Sequence, residues 1–304
     1  WYITDSVAVL TDALESVINV VSGFIGLYSL YLSSLPRDEN HPYGHGKVEF
    51  ISASIEGTLI SVAGVVIIYE AILNLQHPKV ISSLDYGIYL IAITAIINYF
   101  VGMIAVKKGN KNNSLALIAS GKHLQSDTYS TVGIIIGLIV MYFTDLPWLD
   151  SAVALFFAGF IIFTGYKILR EAVSGIMDET DEVLLKELVV FLNKVRRPNW
   201  IDLHNLRIIK YGSTLHIDCH MTVPWYFNIQ EGHAEVDALE DLVKDHFGDR
   251  IEVFVHLDSC KEYSCQICTK TDCPLRKHNF EKRIEFTMAN ISKNEKHNRN
   301  VILK

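Results

Sequence analysis

Two apolar stretches of the chain carry side chains that could bind a metal cation. The first contains Asp12, Glu15 and Asn19, whose spacing places them on one face of a helix. The second contains His123 and Asp127, which are four residues apart and therefore also share a helical face. Ionisable groups inside hydrocarbon cost on the order of a few kcal/mol each, so they mark a pathway or a site. Imidazole and carboxylate suit a borderline ion such as Zn²⁺, and the two faces together predict a cation site. For Asp12, near the start of its stretch, a helix-capping role is the alternative.

A third polar group lies in the segment DENHPYGHGKVE, residues 38 to 49, which separates two long apolar runs. Asp38, His41 and His45 are set around Gly44 and Gly46. Glycine permits a tight turn, so the two imidazoles and the carboxylate can converge on one ion. The alternative is a helix cap with two histidines at the membrane interface.

The cysteines form the last group with chemical potential. Four of the five follow the pattern Cys260-x4-Cys265-x2-Cys268-x4-Cys273, and His278 lies beyond them. Such crowding is unlike the spread framework of a secreted disulfide protein. The C-x2-C half predicts a zinc site, formed above all by Cys265, Cys268 and Cys273. Free thiols in a reducing compartment and an iron–sulfur centre, whose C-x4-C-x2-C spacing is also present, are the alternatives.

The elements that must position these residues follow from the apolar runs. About 20 helical residues cross the hydrocarbon of a bilayer, and the sequence predicts five such helices, at residues 7–33, 50–75, 83–106, 114–143 and 148–170. We therefore expect an integral, multi-pass membrane protein in contact with a lipid bilayer. Its transmembrane domain is predicted over residues 1–175, a soluble domain over 176–260, and a flexible, Cys-containing tail over 261–304.

Basic residues orient the helices, because they are enriched on the cytoplasmic side. One side carries a set of eight: Arg37, Lys47, Lys107, Lys108, Lys111, Lys122, Lys167 and Arg170. The other side carries Lys79. The Asp38 segment and the C-terminal domain are therefore predicted to be cytoplasmic, and the inner membrane of a prokaryotic cell is the simplest expectation.

The soluble domain is predicted to be α+β. Its pattern gives a helix at 181–196, strands at 201–210 and 214–223, a helix at 230–246 and a strand at 251–257. Tyr211, Gly212 and Ser213 separate the first two strands as a hairpin turn. This αββαβ order suits a small sheet with helices on one face.

Charge and motifs exclude two classes of function. The net charge of −7 argues against a nucleic-acid partner, because phosphate binding needs a basic face. An intramembrane metalloprotease would need an activated-water motif such as H-E-x-x-H, which the sequence lacks. We therefore do not expect an enzyme.

The ordered combination of motifs resembles one transporter family. The run SVAVLTDALESVINV, then HPYGHGKVE, then HLQSD in a later span, followed by an αββαβ domain, is similar to the cation diffusion facilitator family of divalent-metal/proton antiporters. The resemblance covers residues 1 to about 260. It implies a six-helix membrane domain and a ferredoxin-like cytoplasmic domain. The chain begins at what would be the second helix, so we expect the first helix to be absent from this sequence.

The resemblance also implies roles for the metal-ligating residues. The family's transport site, with two side chains from each of two helices, falls on Glu15, Asn19, His123 and Asp127. Asn19 departs from the usual carboxylate, so Asp12 could substitute for it, and an oxygen-rich site could favour Fe²⁺ or Mn²⁺ over Zn²⁺. Asp38, His41 and His45 correspond to a second family site in the cytoplasmic loop, with a regulatory or structural role.

In the cytoplasmic domain the resemblance implies metal-bridging positions in a homodimer. These are His204, His220, His256 and Asp258, with His233 as a further candidate. The sequence supports this independently, because His256 and Asp258 are two residues apart on a strand and therefore share a face.

The resulting hypothesis is a proton-driven exporter that moves divalent cations out of the cytoplasm by alternating access. Zn²⁺ is the expected substrate and also the structural or regulatory ion, with Fe²⁺, Mn²⁺, Co²⁺ and Cd²⁺ as further candidate substrates. The alternative is a membrane-anchored metal sensor that binds zinc without transporting it, an idea motivated by Asn19.

Overall fold

The computed structural model describes residues 2, 4–77, 84–112, 115–144, 146, 148–212, 214–248 and 250–298. The chain divides into two compact units. One contains residues 1–29 and 51–173, and the other contains residues 30–50 and 174–304. The first holds the long apolar helices and the second holds the mixed α/β elements.

Five helices in the described residues are long and apolar enough to cross a membrane. They are α1 (Val7–Ser33), α2 (Val48–Gln76), α3 (Leu84–Asn112), α4 (Leu115–Thr144) and α5 (Trp148–Ile176). The five predicted spans are thus confirmed, with ends that differ by up to six residues. The predicted starts at 83 and 114, and Lys79, lie outside the described residues.

Close backbone approach joins α3 to α4. A side chain on Gly102 would lie 2.7 Å from the carbonyl oxygen of Gly121, and the reverse contact has the same length. Small residues allow such approach between membrane helices, where packing rather than the hydrophobic effect holds helices together. The large apolar side chains face outward, as Phe24 and Phe143 do, which suits a surface surrounded by lipid.

The start of α1 is fixed by a carboxylate from α5. Asp150 accepts hydrogen bonds from the Ser6 hydroxyl at 2.6 Å and from the backbone N–H of Val7 and Ala8 at 2.8 and 3.2 Å. These N–H groups have no partner within their own helix, so the carboxylate supplies the missing acceptor. The contact sets the position of the helix that carries Glu15 and Asn19.

The second unit contains α6 (Glu182–Val195), β1 (Asp202–Tyr211), β2 (Thr214–Val223), α7 (Ile229–Phe247) and β3 (Ile251–Ser259). The predicted αββαβ order is confirmed. Strand β1 pairs with β2 antiparallel, and β2 pairs with β3 in parallel. Gly212 in the hairpin turn has a φ of +60°, and Ser213 lies outside the described residues.

Alternation along the strands separates a core face from a second face. On β2, Ile217, Cys219 and Met221 join the apolar core with Leu188 of α6 and Leu239 of α7. The intervening positions of β2 point the other way, since side chains alternate along a strand. Those positions carry the histidines that concern the metal sites.

The segment after β3 differs from the expected flexible tail. Phe286 and Ile291 are buried in the core of the domain, and Ile291 ends a short helix, α8 (Met288–Ile291). The backbone N–H of Asn205 donates to the carbonyl of Lys293 at 2.8 Å. A few apolar side chains within the Lys/Asn-rich composition are sufficient to hold residues 261–298 against the domain. Residues 299–304 lie outside the described part of the chain.

Candidate metal sites

The membrane unit contains a small cavity between helices where the two predicted faces meet. Both side chains of α1 that were expected there, Glu15 and Asn19, and both of α4, His123 and Asp127, line it. The remaining lining residues are mainly apolar or hydroxyl-bearing: Ile18, Ile60, Ser126, Ser130, Phe160, Ile161 and Thr164. Four potential ligands from two helices therefore face one enclosed space.

Within this cavity Asp127 is the common partner. The Asn19 Nδ2 donates to its Oδ2 at 2.7 Å, and the His123 Nε2 lies 3.7 Å from the same oxygen. The His123 Nε2 is buried and has no hydrogen-bond partner. An unpaired imidazole nitrogen beside a carboxylate is a free metal ligand, so this half of the site can accept a cation without first breaking a hydrogen bond of the histidine.

Asp12 is placed differently from the other candidates. It is buried, and its two oxygens face the hydroxyls of Thr131 at 2.6 Å and Thr94 at 3.4 Å. Asp12 is not among the residues that line the cavity. Its carboxylate therefore links α1 to α3 and α4 from within α1, which is a structural role other than the helix cap that the sequence suggested.

The loop between α1 and α2 forms a compact group of ligands. One ligand atom each from Asp38, His41 and His45 lies within 4.8 Å of the other two. Asp38 Oδ1 is 3.0 Å from His41 Nδ1, and Asp38 Oδ2 is 3.4 Å from His45 Nε2. Desolvation opposes ionisation of Asp38, but the hydrogen bonds from His41 and the charges of both histidines lower its pKa.

Two glycines hold this loop in place for different reasons. Gly44 has a φ of +90°, which glycine adopts without strain. Gly46 lies against the β1–β2 hairpin, and a side chain there would overlap the backbone of Tyr211. Lys47 Nζ also contacts Asp178 at 2.9 Å. The loop is therefore part of the second unit and not an independent connector.

A second compact group lies on the face of the sheet opposite the core. His204, His220 and His256 are neighbours on β1, β2 and β3. His204 Nε2 and His220 Nδ1 lie 3.4 and 3.3 Å from one oxygen of Asp258. His204, His220 and Asp258 each place one ligand atom within 4.8 Å of the other two. Antiparallel and parallel pairing in register thus brings three strands to one metal-sized site.

The segment after β3 contributes two residues to this group. Lys296 Nζ lies 2.9 Å from the other oxygen of Asp258. The His297 Nδ1 contacts Asp202 Oδ1 at 2.5 Å, and Asp202 Oδ2 is 3.3 Å from His204 Nδ1. Burial alone would raise the pKa of Asp202, yet the contacts with His204 and His297 hold it below its usual range. Asp202 therefore lies beside His204 in the position from which carboxylates orient metal-binding histidines elsewhere.

Two of the predicted cytoplasmic ligands stand outside the compact group. His256 is exposed, with its ring 4.7 Å from that of His220. His233 lies on α7, where its Nδ1 pairs with Asp237 Oδ1 at 3.1 Å on the surface. His233 therefore faces solvent on α7 and does not join the ligands on the sheet.

The cysteines lie together beside the end of the sheet. Cys260, Cys265, Cys268 and Cys273 line one cavity, whereas Cys219 is buried in the core of the domain. His278 is exposed. All five thiols are free of disulfides.

Sequence reasoning missed three residues of the sheet site: Asp202, Lys296 and His297. Asp202 is the residue two before His204 on a strand, a spacing that places both side chains on one face, so this signal was available. The positions of Lys296 and His297 depend on how the segment after β3 folds back, which no local pattern indicates.

Comparison with known proteins places both units in one family. Residues 1–177 match the cation efflux transmembrane domain, and residues 180–260 match the cytoplasmic domain of cation efflux proteins. An uncharacterized transporter of Synechocystis sp. is 31% identical over 261 residues, covering 86% of this chain and 84% of the relative. The manganese efflux system protein MneP of Bacillus subtilis is 27% identical, with 84% and 87% covered. A cadmium, cobalt and zinc/H(+)-K(+) antiporter of Bacillus velezensis is 24% identical, with 80% and 78% covered.

Proposed function

The chain belongs to the cation diffusion facilitator family of metal efflux transporters, and from that premise we propose that it exports a divalent transition-metal cation from the cytoplasm in exchange for protons. The observation that carries the proposal is the membrane cavity where Glu15 and Asn19 of α1 face His123 and Asp127 of α4. Ionisable residues on membrane-spanning helices are costly to place in hydrocarbon, so their presence marks a functional site such as a transport pathway.

The proposed coupling follows from competition at one site. A metal ion needs deprotonated carboxylates and a neutral imidazole, so its arrival releases protons and their return displaces it. Glu15, His123 and Asp127 can each exchange a proton for the metal, which lets a proton gradient change the occupancy of the site. Because the ligands lie on two helices, α1 and α4, rocking of one against the other would open the site to one side at a time.

The donor set bears on the choice of metal. One imidazole and three oxygen-bearing side chains can bind Zn²⁺, but the amide of Asn19 in place of a carboxylate weakens a compact zinc cage. Harder oxygen donors shift preference toward Mn²⁺ or Fe²⁺. The relative named for manganese efflux supports including Mn²⁺, and the relative named for cadmium, cobalt and zinc supports testing those ions as well.

The cytoplasmic unit is proposed to bind metal and to join two copies of the chain. Its match to the cytoplasmic domain of cation efflux proteins and the exposed His256 beside the compact group support a homodimer bridged at the sheet face. We place this unit in the cytoplasm of a prokaryotic cell and the helices in its inner membrane. The Asp38 loop would be a second regulatory ion site.

A metal sensor without transport is the second candidate function. The observation that favours it is the hydrogen bond from Asn19 to Asp127, which occupies one of the oxygens that a transported ion would need. Metal-dependent change in the cytoplasmic unit without flux would support the sensor.

The decisive experiment measures uptake of Zn²⁺, Mn²⁺, Fe²⁺ and Co²⁺ into proteoliposomes with an imposed pH gradient. The test variant is Asp127→Ala, and the matched control is Asp12→Asn, which removes a buried carboxylate outside the cavity while keeping its shape. Gradient-driven flux that is lost in Asp127→Ala and retained in Asp12→Asn would support the antiporter. Absence of flux for every metal, in protein that still binds zinc, would instead favour the sensor.

A further inference from the structure

Four cysteines follow β3, and three of them, Cys265, Cys268 and Cys273, lie outside both regions matched to the efflux family, the second of which ends at residue 260. Cys260, Cys265, Cys268 and Cys273 nevertheless line one cavity of about 20 Å³. A fold that gathers four thiols from a 14-residue segment on one cavity, with no disulfide among them, has the features of a metal centre and not of an unstructured tail.

The loop that carries the thiols is held by one arginine. The guanidinium of Arg276 donates to the backbone carbonyls of Cys265 at 2.8 Å, Cys268 at 3.0 Å and Lys270 at 2.6 Å. These contacts fix the loop in the shape that turns its sulfurs toward the cavity. They also place a permanent positive charge beside the loop that carries the sulfurs.

Further donors point at the sulfurs themselves. The backbone N–H of Lys277 donates to Cys265 Sγ at 3.5 Å, and N–H groups of Lys270 and Trp225 donate to Cys268 and Cys260. The Tyr226 hydroxyl is buried beside Cys273 without a hydrogen-bond partner of good geometry. Thiols are weak acceptors, whereas metal-bound thiolates accept N–H and O–H donors well. These donors are therefore available to sulfurs that are bound to a metal.

The spacing of the sulfurs discriminates between metals. Four sulfurs around one Zn²⁺ at 2.3 Å stand about 3.8 Å apart. Among the described residues, the two groups of three ligand atoms that lie mutually within 4.8 Å contain no cysteine, so no three of these sulfurs are as close together as a single zinc ion requires. Thiolates that bind different irons of one cluster stand further apart, and Cys260, Cys265 and Cys273 also face an adjoining space of about 250 Å³.

We propose that Cys260, Cys265, Cys268 and Cys273 bind an iron–sulfur cluster. The C-x4-C-x2-C spacing of Cys260, Cys265 and Cys268, followed by a fourth cysteine at Cys273, is one that such clusters use. The cluster would join the end of β3 to the segment that carries Phe286, Lys296 and His297. This proposal does not depend on the transport function.

The test is metal and sulfide analysis of the full-length protein purified without oxygen. Wild type is expected to contain iron and acid-labile sulfide in equal amounts and to show a broad visible absorption that reduction bleaches. Cys268→Ser and Cys273→Ser should each reduce the content of bound iron at least tenfold relative to wild type. Cys219→Ala, which changes the one cysteine outside the cavity, should retain the full amount.

Three results would overturn the proposal: zinc without sulfide, no metal above the level of the double variant Cys265→Ser/Cys273→Ser, or iron that persists in that variant. If the variants fail to fold, the same question is answered on wild type. The metal is removed with a chelator, and ferrous iron with sulfide is supplied in parallel with zinc alone. Recovery of the visible spectrum supports the cluster, and occupation by zinc alone with no uptake of iron and sulfide contradicts it.

Discussion

The membrane cavity and the outer face of the cytoplasmic sheet present similar types of ligand, but the ligands on the sheet already converge more closely than those in the cavity. On the sheet, His204 and His220 converge on one oxygen of Asp258, and Asp202 contacts the other ring nitrogen of His204. In the cavity, Asp127 accepts a hydrogen bond from Asn19, and the His123 Nε2 lies 3.7 Å from the same oxygen of Asp127. A site with supported ligands retains its ion, whereas a site that must rearrange to bind can also release it.

This difference agrees with the separate roles that we propose for the two regions, transport at the cavity and regulation at the sheet. A transported ion must leave after each cycle, so binding has to be favourable enough to load and weak enough to unload. A regulatory ion can remain for many cycles. The comparison thus teaches that the number of candidate ligands is a poorer guide to a role than the partners that each ligand already has.

The largest effect is expected when the carboxylate of the cavity is lost. Asp127→Asn leaves the shape of the side chain but removes its charge, and metal affinity at the cavity should fall at least about 100-fold, since even supporting residues of metal sites contribute 10–100-fold. Gradient-driven flux in proteoliposomes measures the change. Zinc binding by the cytoplasmic unit should be unaffected, and a parallel loss there would contradict independent sites.

A second variant makes the cavity resemble the sheet site. Asn19→Asp replaces an amide with a carboxylate next to Asp127 and should lower the KM for Zn²⁺ by roughly tenfold, because charge count tunes cation affinity. Tighter binding slows release, so kcat should fall with KM. Transport kinetics for Zn²⁺ and Mn²⁺ check this, and an equal change for both metals would argue against selection at position 19.

A third variant sharpens the sheet site. Lys296→Met removes the ammonium that lies 2.9 Å from Asp258, and with it a positive charge that repels an entering cation. Zinc affinity of the cytoplasmic unit should rise roughly threefold to tenfold, in keeping with one partly exposed ion pair. Calorimetric titration of the full protein measures it. The control is Lys293→Met, a nearby lysine whose contact with Asn205 is made by its backbone carbonyl.

The smallest effect concerns acid stability. The pKa of Asp202 is lowered, against the effect of burial, by His204 and His297. A carboxyl with a lowered folded-state pKa stabilises the fold above its unfolded pKa of about 4, and this contribution is lost as the pH falls below that value. The melting temperature should therefore fall on acidification below about pH 4. Asp202→Asn should flatten that part of the curve, and an unchanged slope would contradict the assignment.

Much of the architecture is predictable because it rests on local pattern. The apolar runs give α1 to α5, and alternation with turn residues gives the strands, with Val223 as the predicted and observed end of β2. Glu15, Asn19, His123 and Asp127 meet in one cavity because each pair shares a helical face. These outcomes need only periodicity and the resemblance to the family.

The remaining features depend on distant parts of the chain. Phe286 and Ile291 occur in a segment whose composition indicates disorder, and only the available core explains their burial. His233 has the right chemistry on a helix face that points to solvent. The sequence around Gly46 suggests a turn. The structure shows instead that the missing side chain lets the loop approach the backbone of Tyr211.

The reciprocal contact of Gly102 and Gly121 has a mechanical consequence. Because their backbones are at van der Waals distance, α3 and α4 pack as one closely joined pair of helices. His123 follows Gly121 by only two residues. Any displacement of the α4 half of the cavity has to carry α3 with it through the lipid. A methyl group at position 121 would push these two helices apart and would therefore shift the side of the cavity that carries His123 and Asp127.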